Sequence, residues 1–326
     1  MGPPGGRRAR RARPVLRRVA GVRGGVRHGR PLGDGPARPH RIHPRRRVNA
    51  DLTTAIEQAT GSTVATTSRV GGGSTSTGVA VTLATGERLF AKHTSGAPPG
   101  LFRGEAEGLA WLAEPGCVRV PAIIAVDDDW LVLEWIDEGP RSAATDEALG
   151  RGIARMHRAG ADAFGTPWPG FAGSVSVPNG PRDDWPTFLA EQRLIPIAKA
   201  ARLPADMMRR LDAVIARLPN LLGPPEPPSR LHGDLWAGNH MTDAEGRPVL
   251  IDCDPYGGHR EIDIGMMLLF GGFGDRVIAA YDEEFPLAPG WQDRVEINQL
   301  LPLLVHCAML GSGWFARTNA VLRSIS

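Results

Sequence analysis

His232-Gly233-Asp234-Leu235-Trp236-Ala237-Gly238-Asn239, followed shortly by Val249-Leu250-Ile251-Asp252, is the stretch on which the reading of this chain turns. An Asp with an Asn five residues later, then a second Asp closing a nearby apolar strand, is equipment for phosphoryl transfer. Asp234 is placed to accept the proton of an attacking hydroxyl. The Asn239 amide oxygen and the Asp252 carboxylate are hard oxygen ligands for Mg2+, which takes a few such groups and completes its shell with phosphate oxygens. A polar loop beside an ordinary turn would account for any one of these residues, but not for all three at these intervals. Asp254, two residues past Asp252, would share its strand face, and spacing alone leaves that choice of ligand open.

A phosphate donor needs a cradle and a counter-charge. Upstream, Val70-Gly71-Gly72-Gly73-Ser74-Thr75-Ser76-Thr77-Gly78 lies between two expected strands. Its glycines let backbone N–H groups approach phosphate oxygens, although such a tract alone reads equally well as a flexible loop. It lacks the GxxxxGKS/T pattern, which argues against a P-loop NTPase. Lys92 closes the next strand. In a chain with 36 arginines and 2 lysines, a lysine there points to a need for a compact ammonium instead of a planar fork. Glu105, on the following helix, is its expected partner. The segment 131–137 reads as an edge strand or, in a two-lobed nucleotide enzyme, as the hinge, with the Glu134 carbonyl and the Ile136 N–H facing adenine. His259-Arg260-Glu261-Ile262-Asp263 opens a helix, where acids in the first turn suit the positive end of the dipole. His157 is expected as a packed core histidine.

Around these residues the pattern is α+β. A helix over 51–61, strands at 64–70, 78–83 and 87–93, a helix at 102–113 and strands at 122–126 and 130–135 describe a small mixed lobe over 48–137. From 138 to 326 the chain is mainly helical, with candidates at 146–159, 185–200, 205–218, 262–270, 275–285 and 291–310. Pro224-Pro225-Glu226-Pro227-Pro228 reads as a stiff connector. Two short segments, 230–240 and 248–253, flank the turn Asp243-Ala244-Glu245-Gly246.

The 326 residues suit two lobes better than one core. The net charge of +3 hides an asymmetry: residues 1–47 hold fifteen arginines and one acid, leaving −11 for the remainder. An acidic body with no basic face argues against nucleic acid as a partner. No apolar run follows the Arg pairs of the leader, which speaks against a signal peptide. The leader is expected to be disordered, and a reading frame opened too early, with the start near Val48, explains it more simply than an RNA- or lipid-binding arm. The longest apolar stretch, 300–316, is interrupted by Pro302, His306 and Ser312 and reads as a buried helix and not a membrane span. Cys117, Cys253 and Cys307 show no paired spacing, as expected of a cytoplasmic protein without disulfides or zinc.

The catalytic stretch, together with Val249 to Asp252, Gly258-His259-Arg260-Glu261-Ile262-Asp263 and Leu269-Phe270-Gly271-Gly272-Phe273, resembles the fructosamine kinase (ketosamine-3-kinase) family. Echoes at Ser74, Lys92, Glu105, Glu134 and Asp184-Trp185 keep the same order over residues of about 50 to 315. The resemblance implies a bilobal protein-kinase-like fold and transfer of the ATP γ-phosphate to the 3-hydroxyl of a ketosamine or glycated amine, after which the adduct eliminates and frees the amine. By the same resemblance Asp234 is the base, Asn239 and Asp252 hold Mg2+, and Lys92 with Glu105 positions phosphate beside the loop of Gly71, Gly72, Gly73 and Ser74. Trp236 faces the sugar, while His259 and Arg260 shape the acceptor pocket. Family spacing selects Asp252 over Asp254. Two departures stand out. Asp252-Cys253-Asp254-Pro255 replaces the usual Asp-Pro-Ala, and Ser74 replaces a cysteine common in eukaryotic relatives, so no disulfide switch is expected there. The expected assembly is a monomer or weak dimer, away from membranes. An aminoglycoside or other hydroxyl kinase of the same fold is the alternative, and a non-catalytic nucleotide-binding protein is a third reading.

Overall fold

Period-two alternation builds the first half of the chain in the computed structural model, which describes residues 50–71 and 76–325. Helix α1 (Ala50–Thr60) is followed by strands β1 (Val64–Val70), β2 (Thr77–Leu83) and β3 (Arg88–His93), helix α2 (Leu101–Ala113), and strands β4 (Ile123–Val126) and β5 (Trp130–Glu134). The strands form one antiparallel sheet in the order β1-β2-β3-β5-β4. Leu89 and Ala91 of β3, with Trp130 and Val132 of β5, pack against Leu52 and Ile56 of α1. The intervening Leu131 and Leu133 meet Phe102, Leu109 and Leu112 of α2 on the opposite face. Each such leucine, fully buried, contributes about 1.5–3 kcal/mol. That partition fixes Lys92: with Leu89 and Ala91 committed to α1, Phe90 and Lys92 turn to the other face, into a cleft.

The second half is mainly helical. It comprises α3 (Ala143–Ala159), the hairpin β6 (Gly170–Ala172) and β7 (Val175–Val177), α4 (Trp185–Phe188), α5 (Ile195–Ala200), α6 (Ala205–Leu221), β8 (Ser229–Leu231), β9 (His240–Thr242), β10 (Pro248–Leu250), β11 (Tyr256–Gly258), α7 (Glu261–Phe270), α8 (Asp275–Glu284), α9 (Val295–Leu310) and α10 (Phe315–Ile325). Ser142 starts α3 with a reciprocal cap: its hydroxyl accepts from Thr145 N, and Ser142 N donates to Thr145 Oγ1, both at 3.2 Å. Leu300 and Leu304 of α9, Leu211 and Val214 of α6, and Leu322 of α10 share one core. The expected α+β, two-lobed architecture is the one found.

Several expectations change in detail. The helix expected over 185–200 is interrupted by a π-helical turn, Leu189–Leu194. The expected helix at 291–310 begins as a 3-10 turn, Trp291–Arg294, before α9. The segment 230–240 divides into β8, a loop and the start of β9. The apolar stretch 300–316 is shared between α9 and α10, and no helix among the described residues is long and apolar enough to cross a membrane. All three cysteines are free thiols. The leader, with its expected disorder, lies outside the described residues, as do Gly72, Gly73 and Ser74.

Candidate active site

Two small antiparallel ribbons hold the signature loops side by side. Strands β8 and β11 pair Leu231 with Tyr256, and β9 and β10 pair His240 with Leu250. The loop 232–239 therefore runs between β8 and β9, and the loop 251–255 between β10 and β11. Backbone bonds tie the loops together: Asp254 N donates to the His232 carbonyl at 2.9 Å, and Ile251 N to the Asn239 carbonyl at 3.0 Å. The fully buried His232 ring spans the same junction. Burial lowers its pKa, and its neutral form suits both neighbours: Nε2 donates to the Ile251 carbonyl at 3.0 Å while Nδ1 accepts from Asp234 N at 3.3 Å. Asp263, at the start of α7, accepts from His232 N at 2.7 Å, Gly233 N at 3.1 Å and His157 Nε2 at 3.1 Å. Gly233 has φ 84°, and a Cβ there would lie 1.9 Å from the Asp254 carbonyl oxygen, so only glycine permits this approach.

Asn239 then joins the two acids of the motif. Its Nδ2 donates to the carbonyl and to Oδ2 of Asp234, each at 2.9 Å, and to the Asp252 carbonyl at 3.2 Å. Spending the NH2 group on these three acceptors leaves Oδ1 without a protein donor. Asp252 adopts φ 57°, a left-handed conformation that Asp tolerates better than most residues, and its carboxylate reaches Lys92. Lys92 also pairs with Glu105 of α2. Burial alone would lower the Lys92 pKa, but these two carboxylates outweigh it and hold it above its usual value. Glu105 is pushed up by burial, with Lys92 opposing. Asp234 is raised to about 7 by burial, with the Asp252 charge adding and the Asn239 bond opposing.

This donor set fits magnesium. Among the described residues no group of three His, Cys, Asp or Glu side chains is set to chelate a metal unaided. A single free amide oxygen beside one carboxylate is instead the partial shell that Mg2+ fills out with phosphate oxygens and water.

The cleft holding these groups has a volume of about 1040 Å3, and Gly71, Lys92, Glu105, Glu134, Ile136, Asp234, Trp236, Asn239 and Asp252 all line it. At the hinge, the Glu134 side chain is bound to Arg119 and to Ala122 N, which leaves only its backbone for a ligand. Arg88 covers the Trp135 ring at 3.8 Å. Two expected site residues do not reach the cleft. Arg260 is buried and forms a bidentate pair with Glu226 of the proline-rich connector, at 2.7 and 2.8 Å. His259 is buried beside the same carboxylate, its Nε2 3.8 Å away, and it packs near Trp185. The Arg260 charge complements the connector's Glu226, while burial lowers the His259 pKa, so the two brace the site from behind and do not shape an acceptor pocket.

Other lining residues escaped the sequence reading. Arg193, in the π-helical turn, is buried under the cleft and donates to the Pro178 carbonyl at 2.6 Å and to Asn179 Oδ1 at 2.7 Å. Asp254 lines the cleft nearby, raised to about 8 by burial while Arg193 opposes and Asp234 adds. Trp168 and Phe171, at the β6–β7 hairpin, close another side. A lone buried arginine and three-residue strands carry no periodic signal. Asp263 was legible only as a helix-starting acid.

The sequence profile of the fructosamine kinase family matches residues 48–326. The probable ketoamine kinase of Thermus thermophilus is 36% identical, over 73% of this chain and 87% of its own. The chloroplastic protein-ribulosamine 3-kinase of Arabidopsis thaliana is 30% identical over 72% of this chain and 74% of its own. A crystal structure of a Thermobifida fusca protein described as a fructosamine-3-kinase superposes with a TM-score of 0.79 at 39% identity, covering 85% of this chain and 99% of that one. A choline kinase of Streptococcus pneumoniae, 14% identical, shares the fold at a TM-score of 0.60. With its acids, amide and lysine gathered in one cleft, and a family profile spanning everything beyond the leader, this chain belongs to the fructosamine kinase family.

Proposed function

We propose that the protein is an ATP- and Mg2+-dependent kinase that phosphorylates the 3-hydroxyl of ketosamines of the fructosamine or ribulosamine type. The observation that carries this reading is the Asn239 amide, which holds the Asp234 carboxylate and the Asp252 backbone at 2.9 and 3.2 Å and keeps its own oxygen free. Asp234 takes the proton of the sugar hydroxyl as its oxygen attacks the γ-phosphorus of ATP and the bond to ADP breaks. A base whose pKa lies near neutrality suits that task. Lys92, held by Glu105, presents its ammonium to phosphate oxygens. Asn239 Oδ1 and Asp252 would hold Mg2+, which supplies charge neutralisation at the transferring phosphoryl group. The loop from Gly71 to Ser74 cradles phosphate, and the backbone at Glu134 and Ile136 meets adenine. Trp236 offers its ring to a C–H face of the sugar. A phosphate at that carbon leaves far more readily than hydroxide, so the product eliminates inorganic phosphate and releases the amine.

In this reading residues 48–137 bind nucleotide and 138–326 supply the catalytic loop and the acceptor side. The three free thiols support a cytoplasmic location and the acidic balance beyond the leader speaks against nucleic-acid partners, and in this reading the protein works as a monomer or weak dimer away from membranes. Incubation with Mg-ATP and a ribulosamine, a fructosamine or kanamycin tests the acceptor. Phosphate is expected on a ketosamine, and transfer to kanamycin alone would overturn the reading.

A further inference from the structure

Among the described residues the exposed large apolar side chains are Trp236, Leu268, Phe270 and Leu310. Three of these four line the cleft, on the side of Asp234. They come from separate elements: the catalytic loop, the last residue of α7 and the last residue of α9. Phe270 meets Trp236 edge-on at 6.3 Å, and is backed by His306 at 5.0 Å and Trp314 at 5.9 Å. His306 is itself fixed by a 2.7 Å bond between Nδ1 and the Pro302 carbonyl. Phe270 is therefore a braced ring and not a loose one, yet 38% of its surface remains open. An apolar surface that is both exposed and held in place marks a site of contact.

Its position limits what makes that contact. The surface continues from Trp236 along the cleft wall, so whatever covers it arrives with the acceptor. One C–H face of a sugar is satisfied by one aromatic ring. Hydroxyls pressed against Phe270 and Leu310 would lose water and gain no partner. The remaining part of a ketosamine is the substituent on its amine nitrogen.

We propose that Phe270 and Leu310, continuing the wall begun by Trp236, form a subsite for that substituent and favour amines bearing an apolar or aromatic group over small polar ones. The inference deepens the ketosamine reading and rests on it. N-fructosyl-phenylalanine and N-fructosyl-glycine are matched probes that differ in one benzyl group. The protein is expected to favour the phenylalanine derivative by about tenfold in kcat/KM, mainly through KM. Phe270→Ala and Leu310→Ser should each bring the ratio towards one. The ratio within one variant cancels general damage, and Leu310, 57% exposed, can be replaced without opening the core. Leu268→Ser, exposed but off the cleft, should keep the preference. Equal kcat/KM for the two probes, or a preference that survives in both wall variants, overturns the subsite alone. Phosphate transfer to neither probe, nor to the ribulosyl derivatives of the same two amino acids, overturns the ketosamine reading with it.

Discussion

The floor and the rim of the cleft are built on opposite principles. At the floor, Asp234, Asn239 and Asp252, with Asp263 buried behind them, are fixed by directional bonds, most of them to backbone, while the Asn239 amide oxygen is kept free. At the rim, Phe270 and Leu310 are positioned by ring contacts and helix ends, and Trp236 meets Phe270 edge-on. A reacting oxygen and phosphorus must be held within a fraction of an ångström, whereas an acceptor's variable substituent needs only a surface to cover. The floor should therefore fail abruptly when altered and the rim by degrees.

The strongest test of that contrast is Asp234→Asn. Losing a positioned base should lower kcat by about 10²–10⁴-fold while ATP affinity, measured by titration, stays close to that of the parent. An unchanged rate would remove Asp234 as the base. Next is Asp263→Ala, which strands the N–H groups of His232 and Gly233 and the His157 ring in a buried site. It should cost about 3 kcal/mol of unfolding free energy in urea, and a loss below half of that would mean the loop is held elsewhere. Third, the pKa of Asp234 near 7 predicts an acid limb in kcat/KM. Only the ionised carboxylate accepts a proton, so the rate should fall about tenfold per unit below that pH. A flat profile between pH 6 and 8 contradicts it.

The smallest expected effect concerns Asp254. Its folded pKa of about 8 lies above the 3.8 of a free carboxyl. The native state thus keeps its proton where the unfolded chain has lost it. Stability on this account is full below about pH 4 and is lost as pH rises towards 8. Asp254→Asn removes the penalty, so its Tm advantage over the parent should widen by a few degrees between pH 5 and 8. A gap that narrows would show that Asp254 is ionised and paired.

Strands β3 and β5 were legible because each buries two different faces, and Leu89, Ala91, Leu131 and Leu133 print that alternation in the sequence. The catalytic loop was legible because phosphoryl transfer restricts residue type at fixed intervals. The β6–β7 hairpin was not, since three-residue strands contain no period. Nor was α10: its Thr, Asn, Val and Ser are poor helix formers, and packing of Thr318 and Leu322 onto α6 and α9 sustains it. His259 and Arg260 mislead for another reason. Their place in the motif suggested chemistry, but the isolated Glu226 among four prolines was the better clue, as a charge that a rigid connector delivers to a buried arginine.

The scarcity of lysine has a practical side. Of the two lysine side chains, Lys92 is enclosed by its carboxylates and Lys199 stands in solvent. A reducing sugar or an amine-directed dye consequently meets one accessible ε-amine besides the chain's own amino terminus. An enzyme working among glycating sugars would offer them few places to attach, and position 199 is a natural single point for labelling or immobilisation, well apart in sequence from Asp234, Asn239 and Asp252.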